Sequence, residues 1–163
     1  EQEIAVSKAI QASLKIPQTH GNFKKLRKYF DANMSQKNYK QILLEFGKPT
    51  NEIKFKGSNP HGGFNSFIEV TYSDFRLIFI DQFLFDMTFF NSDKLKNKTI
   101  QIGSDIKDLE SEFETPFYMS KDQFSYLTCI PRSDECPTGY PNTIHFQLEN
   151  QKVKSIRLTM YLD

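Results

Sequence analysis

The chain has 163 residues, enough for one domain or for two small units sharing a core. Its 21 basic residues nearly balance 20 acidic ones, so charge gives no reason to expect nucleic acid or an anionic membrane as partner. No apolar run approaches the roughly 20 residues of a membrane helix; Asp81, Gln82 and Asp86 interrupt the richest segment, Ile78 to Phe90.

Sixteen Phe and seven Tyr with no Trp predict a Phe-rich core built on a sheet. Glu1 to Lys15 carries a weak apolar stripe that predicts a helix, ended by Pro17. Asn22 is placed to cap a second helix, Phe23 to Ala32, with Phe23, Leu26, Tyr29 and Phe30 at helical spacing. Its cluster Lys24, Lys25, Arg27 and Lys28 reads as a solvated face. Residues 1–35 are therefore expected to be an N-terminal helical extension.

A third helix is predicted over Gln36 to Phe46, with Ser35 as N-cap. Tyr39, Ile42, Leu43 and Phe46 make one apolar face; Gly47 and Pro49 stop it. Glu52 to Lys56 alternates as a half-buried strand would, and Gly57 to Ser66 is turn chemistry throughout. Phe67 to Tyr72, Phe75 to Ile80 and Phe83 to Phe90 come next with very short connections, an antiparallel meander. Asn91 to Lys98 is a polar linker that closes a first unit, 36–98.

The second unit, 99–163, opens with a helix from Ile106, for which Ser104 is the expected N-cap and Asp105 and Asp108 suit the positive end. Strands are expected at Gln123 to Cys129, Thr143 to Leu148 and Val153 to Tyr161, the last with an irregularity near Lys154 and Ser155. The stretch Ile106 to Pro116 aligns with Tyr39 to Pro49 without a gap: Lys40 matches Lys107, Glu45 matches Glu112, Phe46 matches Phe113 and Pro49 matches Pro116. The expected class is α+β: two helix-then-antiparallel-strand repeats forming a shared sheet with helices on one face.

The two cysteines, Cys129 and Cys136, lie in a loop rich in Pro and Gly, and this spacing predicts a local disulfide of roughly 2–3 kcal/mol. A C-x6-C pair without a second ligand pair does not suit zinc. His20, His61 and His145 form no metal array, and His145 is expected to face solvent from a strand. Gly62-Gly63 lacks the context of a phosphate loop. Asp134-Glu135 lacks the calcium-loop pattern. No catalytic residue, cofactor or metal is therefore expected, and a Cys–His nucleophilic pair or an Asp81/Asp86 acid pair has no supporting pattern. Two loops could form a protein-binding surface: one with His61 and Phe64, the other closed by the cysteines, with Arg132, Asp134, Glu135 and Tyr140.

A helix ending in Gly-x-Pro before a β-meander, with a second copy opened by Ile100 to Pro116, resembles the tandem repeat of the beta-lactamase inhibitor protein family. It also resembles the related small lipoprotein of the outer-membrane barrel-assembly machinery. Two departures stand out: Glu114 lies where the family often has Gly, and the first copy lacks the Ile-x-x-Gly start. The resemblance implies a non-enzymatic secreted or periplasmic protein that binds another protein, such as an envelope enzyme or a toxin, through a concave sheet and its loops. An inhibitor or an immunity protein would suit it. The absent initiator Met fits a chain from which a signal peptide, or a lipid anchor, has been removed. A Phe-rich sheet under helices could instead enclose a small hydrophobic ligand in the cell envelope, a carrier.

Overall fold

The computed structural model describes residues 20–34, 37–59, 61–114, 116–130, 136 and 141–161. The helix expected over Glu1 to Lys15, and the residues Ser35 and Gln36, lie outside them. The class is mixed α+β, mostly sheet. The helices are α1 (His20–Asn33), α2 (Tyr39–Phe46) and α3 (Ile106–Phe113). The strands are β1 (Asn51–Ser58), β2 (Phe64–Thr71), β3 (Phe75–Ile80), β4 (Phe83–Phe89), β5 (Tyr118–Met119), β6 (Gln123–Leu127), β7 (Thr143–Glu149) and β8 (Lys152–Thr159). They form an eight-stranded antiparallel sheet in the order β1-β2-β3-β4-β8-β7-β6-β5.

Residues paired across antiparallel strands point to the same face. Leu77, Met87, Leu158, Ile144 and Tyr126 make one such row, and Phe75, Phe89, Ile156, Phe146 and Phe124 the next. All ten are buried and belong to the main core. The described helices pack on this face. Tyr39 of α2 meets Phe79, and Phe46 meets Phe75. Phe113 of α3 meets Tyr126 and Phe146, and Tyr29 of α1 joins Phe113 and Phe146. Burying rings of this size contributes on the order of 2–3 kcal/mol each. The Tyr29 hydroxyl donates to the Ile100 carbonyl at 2.7 Å, which satisfies its one polar atom.

The helix starts differ from the sequence expectation. Asn22 lies inside α1, which begins at His20, two residues before the expected cap. The N-cap of α2 is Asn38, in a capping box with Gln41, and that of α3 is Asp105, in a capping box with Asp108. Ser104 instead accepts from the Gln101 N–H. Asn38 and Asp105 win because each also sits in a bridge, to Phe83 and to Lys152, that fixes where the helix can begin. At the other end Gly47 and Glu114 both have positive φ, and their N–H groups return to Leu43 and Glu110. Glycine suits that conformation; Glu114 holds it without glycine's freedom.

The β3–β4 and β7–β8 hairpins share their construction. Each turns through two residues of positive φ, Asp81-Gln82 and Asn150-Gln151. In each the register shifts at the same depth: Ile78 pairs Asp86 while Phe79 pairs Leu84, and Gln147 pairs Ser155 while Leu148 pairs Val153. The extra residues, Phe85 and Lys154, reverse the facing of the strand beyond them. The shift in β8 falls where an irregularity was expected. Each helix also docks its first N–H on the turn, Tyr39 to the Gln82 carbonyl and Ile106 to the Gln151 carbonyl.

β1 is longer than expected and is exposed along nearly all its length rather than half-buried, because it is an edge strand with a neighbour on one side only among the described residues. Of the turn region expected over Gly57 to Ser66, β1 takes Gly57 and Ser58 and β2 takes Phe64 to Ser66. Tyr118–Met119 is a strand that the residue pattern did not signal.

Candidate functional site

The described helices cover one face of the sheet, and strand pairing places the residues of the other. Near β1, Phe55, Phe67, Ile80 and Phe83 form an apolar row on this open face. Phe83 is 70% exposed, Ile53 47% and Phe55 45%. Phe55 and Phe67 stack with ring centres 5.0 Å apart. Gly57 makes the stack fit, since a Cβ there would stand 2.5 Å from the Phe67 ring.

Toward the sheet centre the face turns polar. Glu69, Ile78, Asp86, Thr159 and Thr143 form one row; Arg76, Thr88, Arg157, His145 and Ser125 form the next. Arg157 Nε donates to Asp86 Oδ2 at 2.8 Å, and the Thr159 hydroxyl donates to the same oxygen at 2.9 Å. Asp86 is 1% exposed, whereas the Arg157 side chain is half exposed. Asp86 Oδ1 and Thr88 Oγ1 are buried and have no hydrogen-bond partner among the described residues. Arg76 pairs with Glu69 at 3.4 Å.

His145 is half-buried rather than turned to solvent, which corrects the sequence expectation. Its Nδ1 lies 2.7 Å from Ser125 Oγ and 3.3 Å from Gln123 Nε2. With the ring neutral and its proton on Nε2, Nδ1 accepts from both groups. Burial, and then the Arg157 charge, push the His145 pKa down to about 4, against a smaller upward pull from Asp86. Ser125 and His145 make a close pair, but Ser125 is 1% exposed and also accepts from Gln123. That buried hydroxyl holds the ring. Asp81, the partner considered for Asp86 in an acid pair, is instead exposed in its turn and accepts from the Ser66 N–H.

Of the residues singled out from sequence, His61 and Phe64 lie on the β1–β2 hairpin, both exposed, Phe64 at 75%. The Asn59 side chain braces that tip by accepting from the His61 N–H at 2.9 Å. Cys129 and Cys136 are joined in a disulfide with Cα atoms 5.6 Å apart, as expected, and both are buried. Arg132, Asp134, Glu135 and Tyr140 lie outside the described residues. Sequence reasoning missed Phe55, Phe83, Asp86 and Arg157 as a surface. Their signal lay in the spacing of Leu84, Met87 and Phe89, three then two, which marks a bulge and sends Asp86 and Thr88 to the open face. No described helix is long and apolar enough to cross a membrane.

No family model matches the chain, and no curated protein matches it. Among solved structures, an extracellular protein containing a SCP domain from Bacillus anthracis str. Ames is similar at 10% identity and a TM-score of 0.47. The likeness covers 78% of this chain and 44% of that one, and is too slight to carry an argument about fold or function.

Proposed function

We propose that this is a non-enzymatic secreted or periplasmic protein that binds another protein through the open face of its sheet. One observation carries the reading. That face combines exposed Ile53, Phe55 and Phe83 with an ordered polar centre around Asp86 and Arg157, while the described helices occupy the other face. Exposed aromatic anchors beside an arginine are the composition of an interface centre. The disulfide supports an oxidising compartment. An envelope enzyme or a toxin is the proposed partner class, which makes the protein an inhibitor or an immunity protein.

The same proposal includes a duplicated ancestry, units 36–98 and 99–163 behind a helical extension. Its support is the matched construction: equivalent caps at Asn38 and Asp105, equivalent turns, and equivalent register shifts in β3–β4 and β7–β8. The carrier reading expects Phe side chains lining a cavity, whereas Phe113, Phe146, Tyr126 and Tyr29 meet one another.

Affinity capture from envelope extract tests the binding reading, comparing the wild type with a Phe55→Ser, Phe83→Ser double variant. A protein held by the wild type and lost from the variant is expected. A chain that captures nothing, and shows a melting shift with lipid extract, would count against it.

A further inference from the structure

β1 and β5 are the two edges of the sheet, and they differ. β5 is two residues long, too short to template another strand. β1 is eight residues long and pairs with β2 without a register shift, so among the described residues one of its sides stays unpaired along the whole strand. Proteins protect long edges with proline, bulges or charge. β1 has only charge, and it is largely of one sign. Lys54 and Lys56 project on one face, opposite Ile68 and Ser66 of β2, and neither has a carboxylate partner among the described residues. Lys54 Nζ stands 6.0 Å from the centre of the Tyr39 ring. The nearest acid on the strand, Glu52, is held by the Tyr39 hydroxyl. The other face of the edge carries Ile53 and Phe55, the latter fixed by its stack on Phe67.

We infer that the outer edge of β1 accepts an extended protein segment as a ninth strand, one that alternates acidic residues with apolar ones. Its acids would face Lys54 and Lys56; its apolar side chains would extend the wall of Ile53 and Phe55. Main-chain bonds supply affinity in this mode and the alternation supplies selectivity. A second copy of the chain fits less well. Antiparallel self-pairing about Phe55 sets Lys54 against Lys56 twice. Pairing about Lys54 sets Lys54 against itself, and the opposite-charge pairs formed there or about Ile53 all fall on a Glu52 already held by Tyr39.

The inference rests on the protein-binding reading, and names the segment and edge that serve it. The test uses the full chain with two labelled octapeptides, one alternating glutamate with valine and the other lysine with valine, and reads fluorescence polarisation. Opposite-charge against like-charge cross-strand pairs predict about tenfold tighter binding of the glutamate peptide. A Lys54→Glu, Lys56→Glu double variant should reverse the order, and amide exchange should slow at 51–58. Equal binding of the two peptides, a preference that survives the charge reversal, protection elsewhere than 51–58, or dimerisation of the chain through 51–58 would each overturn it. An envelope partner captured equally by wild type and charge-reversed protein would remove the edge from the binding surface and leave the binding reading in place. Capture of nothing, with the glutamate peptide still preferred, would do the opposite.

Discussion

His145 gives the protein a pH dependence whose sign and size come from its surroundings. In the unfolded chain its pKa is the ordinary 6.5; in the fold, burial and Arg157 hold it near 4. Above pH 6.5 the ring is neutral in both states and adds no pH dependence. Between pH 6.5 and 4 the unfolded chain binds a proton that the folded chain refuses, so stability falls as pH falls. The gap from 6.5 to about 4 corresponds to about 3 kcal/mol, complete once pH is below the folded value. The perturbation is His145→Gln, which removes the titration and keeps a side chain able to bond Ser125. The assay is urea denaturation of both proteins at pH 7, 5.5 and 4, under non-reducing conditions. On going from pH 7 to 4 the wild type should lose about 3 kcal/mol more than the variant, or about 1.5 M in midpoint for a slope of roughly 2 kcal/mol/M. Carboxylates titrating in this range contribute equally to both curves and cancel. Stability curves that run parallel from pH 7 to 4 would show that His145 does not carry this dependence.

Three further perturbations probe the same face and its frame. Arg157→Ala should destabilise by about 3 kcal/mol, since it strips a buried carboxylate of its charged donor; chemical denaturation reads this, and an added Asp86→Leu should recover much of the loss. Gly57→Val should cost about 1–2 kcal/mol by driving the Phe67 ring off Phe55, with a matching change in the near-ultraviolet aromatic signal. A Cys129→Ser, Cys136→Ser variant should lose roughly 2–3 kcal/mol, measured against the oxidised wild type. Because both sulfurs are joined in a buried disulfide, the wild type should take up no alkylating reagent, folded or unfolded, until a reductant is added.

The strand meander was legible because Phe67 to Tyr72 alternates with period two, and it, Phe75 to Ile80 and Phe83 to Phe90 are apolar-rich runs separated by short turn residues. Where alternation slips, legibility was lost. Leu84 to Phe89 changes phase at Phe85, and without the cross-strand register nothing in the residues says that Asp86 leaves the core side. β1 misled for a different reason. Its alternation of charged and apolar residues is that of a half-buried strand, but β1 is the sheet edge, paired on one side only among the described residues, and Tyr39 of α2 meets it at Glu52 and Lys54. Capping failed by one to three positions: Ser35 and Ser104 have suitable chemistry, but the bridges from Asn38 to Phe83 and from Asp105 to Lys152 are tertiary and set the start. Of the candidate site, the hairpin residues His61 and Phe64 were found from turn chemistry. The surface of Phe55, Phe83, Asp86 and Arg157 was not, because it is assembled from three strands far apart in sequence.

Photo-crosslinking asks whether the open face of the sheet is where a partner binds. p-Benzoylphenylalanine would replace Phe83 on the open face in one protein and Lys40, on an exposed turn of α2, in another. Both would be irradiated in envelope extract. Binding through the open face predicts a discrete crosslinked partner from position 83 and none from position 40. A partner that crosslinks from position 40 and not from position 83 would place binding on the helical side and contradict it.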